Sequence, residues 1–387
     1  FFFSSRRRHT RFRNVTGVQT CLFRSLGIRY QRIGHQFYYV IPGLRFGVEL
    51  TPSGTKISLP SIPIPFSGGY RIIRSNRELK RVLSLLQPQR LEVSDRLTLH
   101  KIGLWAMKRR IHSIVFSHES LESLLLRFFK FEQFRKLAQW HNRKLAGSFD
   151  WVVASTDYAA REFRALGIPN LKKIPLGVDL ESFNPNSRDE SFRQRLLQGS
   201  EILLVHCGRL SIEKNPEQSV EVLKSLTKEG VSARLVFVGM GPLYKKLKSV
   251  SVGFPVDFVG YVVGPKKVAT YLSAADVVLA PGPHETFCLA ALEALACGTP
   301  VVASSQSTVR EILRNERDEW AGRIVSENPD HWVEAVREIV ATPQMRSTAR
   351  EIAELFPWTT TISAIESLEI KNSCNSRETD SKLWFAA

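Results

Sequence analysis

Two short blocks in the second half of the chain hold residues that could do chemistry. Gly208-Arg209-Leu210-Ser211-Ile212-Glu213-Lys214-Asn215-Pro216 lies between the carboxyl end of an apolar run and the start of a helical one. Two cations five residues apart, beside the free amides of a helix start, suit a diphosphate. By themselves the two residues equally fit a solvated basic loop. The second block is Pro281-Gly-Pro-His-Glu285-Thr-Phe-Cys-Leu-Ala-Ala-Leu-Glu293-Ala-Leu-Ala-Cys-Gly298-Thr-Pro. Read as one helix from its first acid, it sets Glu285 and Glu293 ~12 Å apart along the axis and ~80° apart around it. One carboxylate then reaches a hexose and the other a ribose. The amides near Phe287, Cys288 and Leu289 face a diphosphate between them. Paired glutamates at this spacing are common by chance, so the specificity lies in the whole block.

Stepping outward, the elements that must hold these blocks alternate strand and helix. Apolar runs at 201–208, 233–239, 256–260, 276–282 and 300–304 are separated by helical stretches at 216–230, 265–275, 286–297 and 308–315. The first half repeats the rhythm, with strands at 37–43, 91–95, 112–118, 151–155 and 172–177. Its helices fall at 76–87, 98–110, 119–146 and 157–166. Short apolar strands between helices imply parallel sheets covered on both faces. The expected fold class is α/β: two doubly wound, Rossmann-like domains with a crevice between them. The first domain lacks an opening strand and the glycine-rich turn that would follow it.

With those elements in place, the sequence resembles the family 4 retaining glycosyltransferases, which have the GT-B fold. Glu285 and Glu293 match the family's Glu-x7-Glu motif, and Gly208-Arg209 with Lys214 its diphosphate clamp. Val238-Gly239-Met240-Gly241 matches the glycine turn near the nucleotide, and Phe258-Val-Gly260-Tyr261 the segment beside the base. Gly177-Val178-Asp179 with Phe183-Asn184-Pro185 matches the interdomain junction, and Phe356-Pro-Trp358 the segment that crosses back to the first domain. The likeness covers roughly residues 30–370. It implies that Glu285 meets the donor hexose, Glu293 the ribose, and Arg209 and Lys214 the leaving diphosphate. Family members usually have glycine where Cys288 stands, which is harmless to amide binding provided the backbone keeps a negative φ.

The resemblance also points to His118, after a strand, as a residue facing the donor sugar. A satisfied core or capping histidine fits the same position. Glu92-Val-Ser-Asp95-Arg96-Leu-Thr98 and the segment Leu59–Tyr70 resemble a bacterial subgroup of mannosyltransferases acting on lipids. Asp95 and Arg96 are the acceptor-site candidates, or else ordinary loop residues. The implied function is retaining, metal-independent transfer of a hexose, with mannose from GDP-mannose as first choice and a membrane glycolipid or lipid-linked sugar as acceptor. UDP-sugar transfer, a same-fold epimerase and a non-catalytic nucleotide- or membrane-binding remnant are the rivals. No cofactor beyond the donor is called for, and the absence of any Asp-x-Asp gives no metal site.

Composition is compatible with this. The 387 residues are 43% hydrophobic and 24% charged, which excludes a disordered or collagenous chain. Five scattered cysteines give no disulfide or zinc pattern and suggest a reducing, cytoplasmic setting. Residues 1–177 carry 31 Lys+Arg against 10 Asp+Glu, whereas the remainder carry 23 against 27. One half is therefore suited to an anionic membrane surface. The 119–146 helix, with Phe128, Phe129, Phe131 and Trp140 among six cations, could lie on the inner face of the cytoplasmic membrane. It also reads as an ordinary core-facing stripe, and no nucleic-acid recognition motif accompanies it. The expected organisation is an extraneous, disordered leader at 1–25, an acceptor-binding domain at 26–177 and a nucleotide-sugar domain at 178–355. A closing helix at 356–370 and a disordered tail at 371–387 complete it.

Overall fold

The computed structural model describes residues 17–63, 71–117, 132–283, 285–370 and 383–386. They divide into two units, residues 1–174 with 362–387, and residues 175–361.

The first unit begins with α1 (Gly17–Arg32), then β1 (Gln36–Gly43), β2 (Gly47–Thr51), β3 (Gly54–Pro63) and β4 (Arg71–Ile73). It continues with α2 (Asn76–Leu86), β5 (Arg90–Val93), α3 (His100–Lys108), β6 (His112–Ser117) and α4 (Glu132–Ala146). β7 (Trp151–Ala154), α5 (Asp157–Arg164) and β8 (Leu171–Lys173) follow. Leu79 and Leu83, one turn apart on α2, bury against Val40, Ile57, Leu91, Val93 and Val115. Ser75 caps α2, its side chain accepting from the Glu78 amide.

The second unit contains α6 (Glu190–Leu197), β9 (Ile202–Cys207), α7 (Pro216–Lys228), β10 (Ala233–Val238), α8 (Tyr244–Val250) and β11 (Val256–Gly260). After these come α9 (Pro265–Ala274), β12 (Val277–Ala280), α10 (Leu289–Ala296), β13 (Val301–Ser304), β14 (Gly322–Val325), α11 (Pro329–Val340) and α12 (Met345–Glu354). All six strands pair in parallel, in the order β11-β10-β9-β12-β13-β14. This is the doubly wound order with a reversal between β9 and β12. Leu204, Leu235, Phe237 and Leu279 pack with Val220, Leu223, Trp332 and Val336 of α7 and α11, which lie on one face of the sheet.

The chain then returns through α13 (Trp358–Ile370), whose residues from Ile362 belong to the first unit. Arg90 donates to the Ile365 carbonyl (3.0 Å) and His35 meets Glu366 (3.1 Å). A last strand, β15 (Leu383–Ala386), lies in parallel between β1 and β5. The first sheet thus runs β2-β3-β1-β15-β5-β6-β7-β8, with β4 on β3.

Two sequence expectations are corrected here. Residues 17–25 are not a disordered leader but the start of α1. Leu26 and Tyr30, one turn apart, are buried, and the Tyr30 hydroxyl donates to Glu92 at 2.8 Å, so packing carries the helix. Nor is the tail wholly disordered, since Leu-Trp-Phe-Ala at 383–386 is apolar, β-prone and placed where both neighbouring strands need backbone partners. Residues 1–16, 371–382 and 387 lie outside the described residues. No strand precedes β1 among the described residues.

Candidate active site at the strand-order reversal

In a doubly wound sheet, ligands bind outside the carboxyl ends of the strands where the order reverses. In the second unit that place is between β9 and β12. Both blocks singled out from the sequence follow these two strands. Gly208 to Asn215 leaves β9, and Pro281 to Cys288 leaves β12.

The two loops meet through charge. The Lys214 ammonium is ion-paired and hydrogen-bonded to Glu285 Oε1. Glu285 is only 8% exposed. Burial alone would lower the Lys214 pKa, but the Glu285 carboxylate, aided by Glu213, outweighs it and holds the ammonium above the usual lysine value. Lys214 closes a short turn at Ile212–Lys214, ended by Asn215 in the left-handed region at φ 45°. Behind it, His206 is buried, with Nδ1 2.9 Å from Ser219 Oγ. Burial, helped by the Lys214 charge, lowers its pKa to about 3, so it stays neutral beneath the cation.

Glu285 is held by its backbone. Its carbonyl accepts from the Thr308 amide (3.0 Å) and hydroxyl (2.9 Å). The helix starts later than the sequence spacing indicates, at Leu289, so Glu285 projects from a loop and the helical ruler between it and Glu293 does not apply. The displacement has a local cause. Phe287 is buried at 4% exposure, and Cys288 takes an extended cap conformation, φ −87° and ψ 91°. That negative φ is the condition under which cysteine can replace glycine. Burial, and then the Glu285 charge, push the Cys288 thiol up to about 12, so it remains a neutral thiol. Phe287, Cys288 and Leu289 bring their backbone to the start of α10, where the first amides have no partner within the helix.

Glu293, on α10, is half-buried. Burial, and secondarily the Asp179 charge, raise its carboxyl to about 8, so near neutral pH it carries a proton much of the time. Asp179 was legible only as part of the junction motif; its electrostatic bearing on Glu293 was not. Arg209 is half-buried on the β9 loop. Gly239 and Gly241 allow the β9 and β10 loops to close on each other. A Cβ on Gly239, at φ 145°, would overlap the Gly208 carbonyl oxygen, and one on Gly241 the Leu210 carbonyl oxygen. Tyr261 follows β11 and is 70% exposed.

The first-unit candidates fare differently. His118 lies outside the described residues. Arg96 is 7% exposed and spends its guanidinium inward, on Ser117 Oγ (3.0 Å), Asn142 Oδ1 (2.6 Å) and Glu162 Oε2 (3.1 Å). It is therefore an interior residue and not an open acceptor contact. Asp95 accepts from the Leu97 and Thr98 amides (2.8 and 2.9 Å), which makes it a loop-shaping residue. Among the described residues, no three His, Cys, Asp or Glu side chains cluster as metal ligands.

Residues 187–356 match the family described as Glycosyl transferases group 1, and residues 16–182 match Glycosyltransferase Family 4. The chain is 41% identical over 345 residues to a GDP-mannose-dependent alpha-(1-6)-phosphatidylinositol dimannoside mannosyltransferase of Mycobacterium tuberculosis, covering 88% of this chain and 89% of that protein. The chain belongs to the group 1, family 4 glycosyltransferases.

Solved structures agree on the fold of this glycosyltransferase. Sucrose-phosphate synthase from Thermosynechococcus elongatus superposes with a TM-score of 0.71 at 21% identity, covering 91% of this chain and 93% of the other. Anabaena Alr3699/HepE, solved with UDP-glucose, gives 0.69 at 17% identity, covering 92% and 96%. The enzyme thus has the two Rossmann-like sheets of the GT-B class, as the sequence resemblance implied.

Proposed function

We propose that this glycosyltransferase moves mannose from GDP-mannose to a lipid-anchored mannoside, with retained configuration and without a metal. The Lys214–Glu285 pair at the strand-order reversal is the observation that carries this reading. Breaking the sugar–phosphate bond builds charge on the leaving diphosphate, which Lys214, Arg209 and the amides at Phe287–Leu289 are placed to stabilise as it grows. When donor binds, Lys214 turns from Glu285 to the phosphates. The freed Glu285 carboxylate then accepts from hydroxyls of the donor hexose. Glu293 takes the ribose, Gly239 and Gly241 line the nucleotide turn, and Tyr261 stands by the base. The leaving phosphate would take the acceptor proton on the same face of the ring.

Mannose and a lipid acceptor are supported by the 41% identity to the phosphatidylinositol dimannoside enzyme. Peripheral attachment at the cytoplasmic face is supported by the basic first unit. On α4, Leu137 and Trp140 are 50% and 56% exposed, with Lys144 over the Trp140 ring at 4.9 Å. No helix among the described residues is long and apolar enough to cross a membrane. The test is a donor panel with a mannosylated phosphatidylinositol acceptor in EDTA. Transfer from GDP-mannose alone, at undiminished rate, is expected. Preference for a UDP-sugar would move the reading to the rival donor, a strict metal requirement would remove the mechanism, and nucleotide binding without turnover would leave a non-catalytic chain.

A further inference from the structure

We infer that β2 and the bend before it form an apolar comb that seats in the acyl boundary of an anionic bilayer. Leu44, Phe46, Val48 and Leu50 are 65%, 60%, 59% and 79% exposed. Val48 and Leu50 alternate along β2 and share one face, and Leu44 and Phe46 are exposed in the bend that leads into it. In the antiparallel β2–β3 pairing, Val48 stands opposite Ile57 and Leu50 opposite Thr55. Ile57 is 4% exposed and packs in the core with Leu79 and Leu83 of α2. The comb therefore continues the core face of the sheet past its covering helix. The reverse face of the hairpin is polar and internally satisfied, with Lys56 donating to Glu49 at 2.8 Å.

β2 is an edge strand. Edge strands are normally blunted by proline, bulges or charges turned onto the apolar face. The comb face of β2 has none, and contiguous exposed apolar stripes of this kind mark interaction sites. Charge selects the occupant. Arg45 is exposed within the comb, and residues 26–177 carry 25 Lys+Arg against 10 Asp+Glu. Apolar side chains set in a positive field fit an anionic lipid surface. Position agrees, because Leu44 directly follows the last residue of β1, at the carboxyl edge of the parallel strands, where ligands bind. Seating the comb would bring that edge to the headgroups. This inference rests on the lipid-acceptor reading and adds to it the surface that meets the bilayer.

The experiment compares the full chain with the Phe46→Ser/Leu50→Ser double variant. Vesicles of phosphatidylcholine with about 30 mol% phosphatidylglycerol are sedimented at low salt and in about 0.5 M NaCl, where charges are screened beyond roughly 5 Å. The parent should bind more weakly in high salt but still measurably, through the apolar comb, and the double variant should lose at least tenfold of its partition coefficient. GDP affinity and melting temperature should stay unchanged, showing an intact fold. The variant's KM should rise for acceptor in vesicles and not for a water-soluble headgroup acceptor. A variant partition within twofold of the parent would overturn the comb while leaving the lipid reading standing. A parent that ignores vesicles would remove both. A parent dimer dissociated by the double variant, with vesicle binding untouched, would give the comb to a second copy of the chain.

Discussion

The two units of the molecule handle charge in opposite ways. In the second, the functional charges are few, partly buried and answered by one another: Lys214 by Glu285, Glu293 by a retained proton beside Asp179. In the first, positive charge is abundant and exposed apolar residues stand among it, while the buried ions, such as Arg96 with Glu162, serve the fold. A site that must stabilise charge developing on one leaving group needs fixed, desolvated partners. A surface that meets many anionic headgroups needs none of that precision, only density of charge and apolar area.

The sharpest way to break this comparison is at Glu285. On the proposed role of Glu285 at the hexose, Glu285→Gln should lower kcat by about a thousandfold or more while GDP affinity changes less than threefold. Steady-state kinetics beside GDP titration decide it; unchanged turnover would strip Glu285 of its role. Next is Lys214→Met, which should weaken GDP binding by roughly ten- to a hundredfold while guanosine binding barely moves. Calorimetry with both ligands checks this, and equal losses would show that Lys214 does not read the phosphates.

A smaller effect, on stability alone, is expected in the first unit. Arg96→Met leaves Glu162 buried without its cation, so unfolding free energy should drop by about 3 kcal/mol with the acceptor KM unchanged. A raised KM at full stability would return Arg96 to the acceptor site. The smallest effect depends on pH. Glu293 has a folded-state pKa raised to about 8, so its proton favours the folded state below the ordinary carboxylate range. That contribution is lost as pH rises through about 8. Glu293→Gln should therefore be more stable relative to the parent at pH 8 than at pH 4, where the parent carboxyl is protonated in both states. Thermal melts at the two values read it directly, and a pH-independent difference would place the carboxyl in water.

Much of the second unit was legible because its apolar runs are short, uninterrupted and bounded by glycine or proline. The strands at Ile202–Cys207, Ala233–Val238 and Val256–Gly260 lie within the runs read from sequence. The start of α10 was misplaced because no proline or glycine separates Thr286 to Cys288 from the helix; in the structure Phe287 is buried and the chain bends there, with Cys288 as the extended cap. The first unit hid more. The β2–β3 hairpin passes through Pro52-Ser53-Gly54 with exposed apolar residues on one side, a pattern that reads as irregular when no core side can be assigned. Arg96 reads as a loop cation because nothing local announces Glu162, which is 66 residues away and closes on it only in three dimensions.

The sequence by itself determined the residue types that can grip a diphosphate, the loops they occupy and the parallel character of the second unit's sheet, whereas the first sheet also carries the antiparallel β2–β3 and β3–β4 pairs. Each of these follows from spacing and polarity within a few residues. Only the tertiary structure decided that β9 lies beside β12, so that Lys214 and Glu285, 71 residues apart, share one site. It also decided that Arg96 is interior and that the β2 comb is bare. Strand order and burial depend on which distant surfaces exclude water together, and no local pattern encodes that choice.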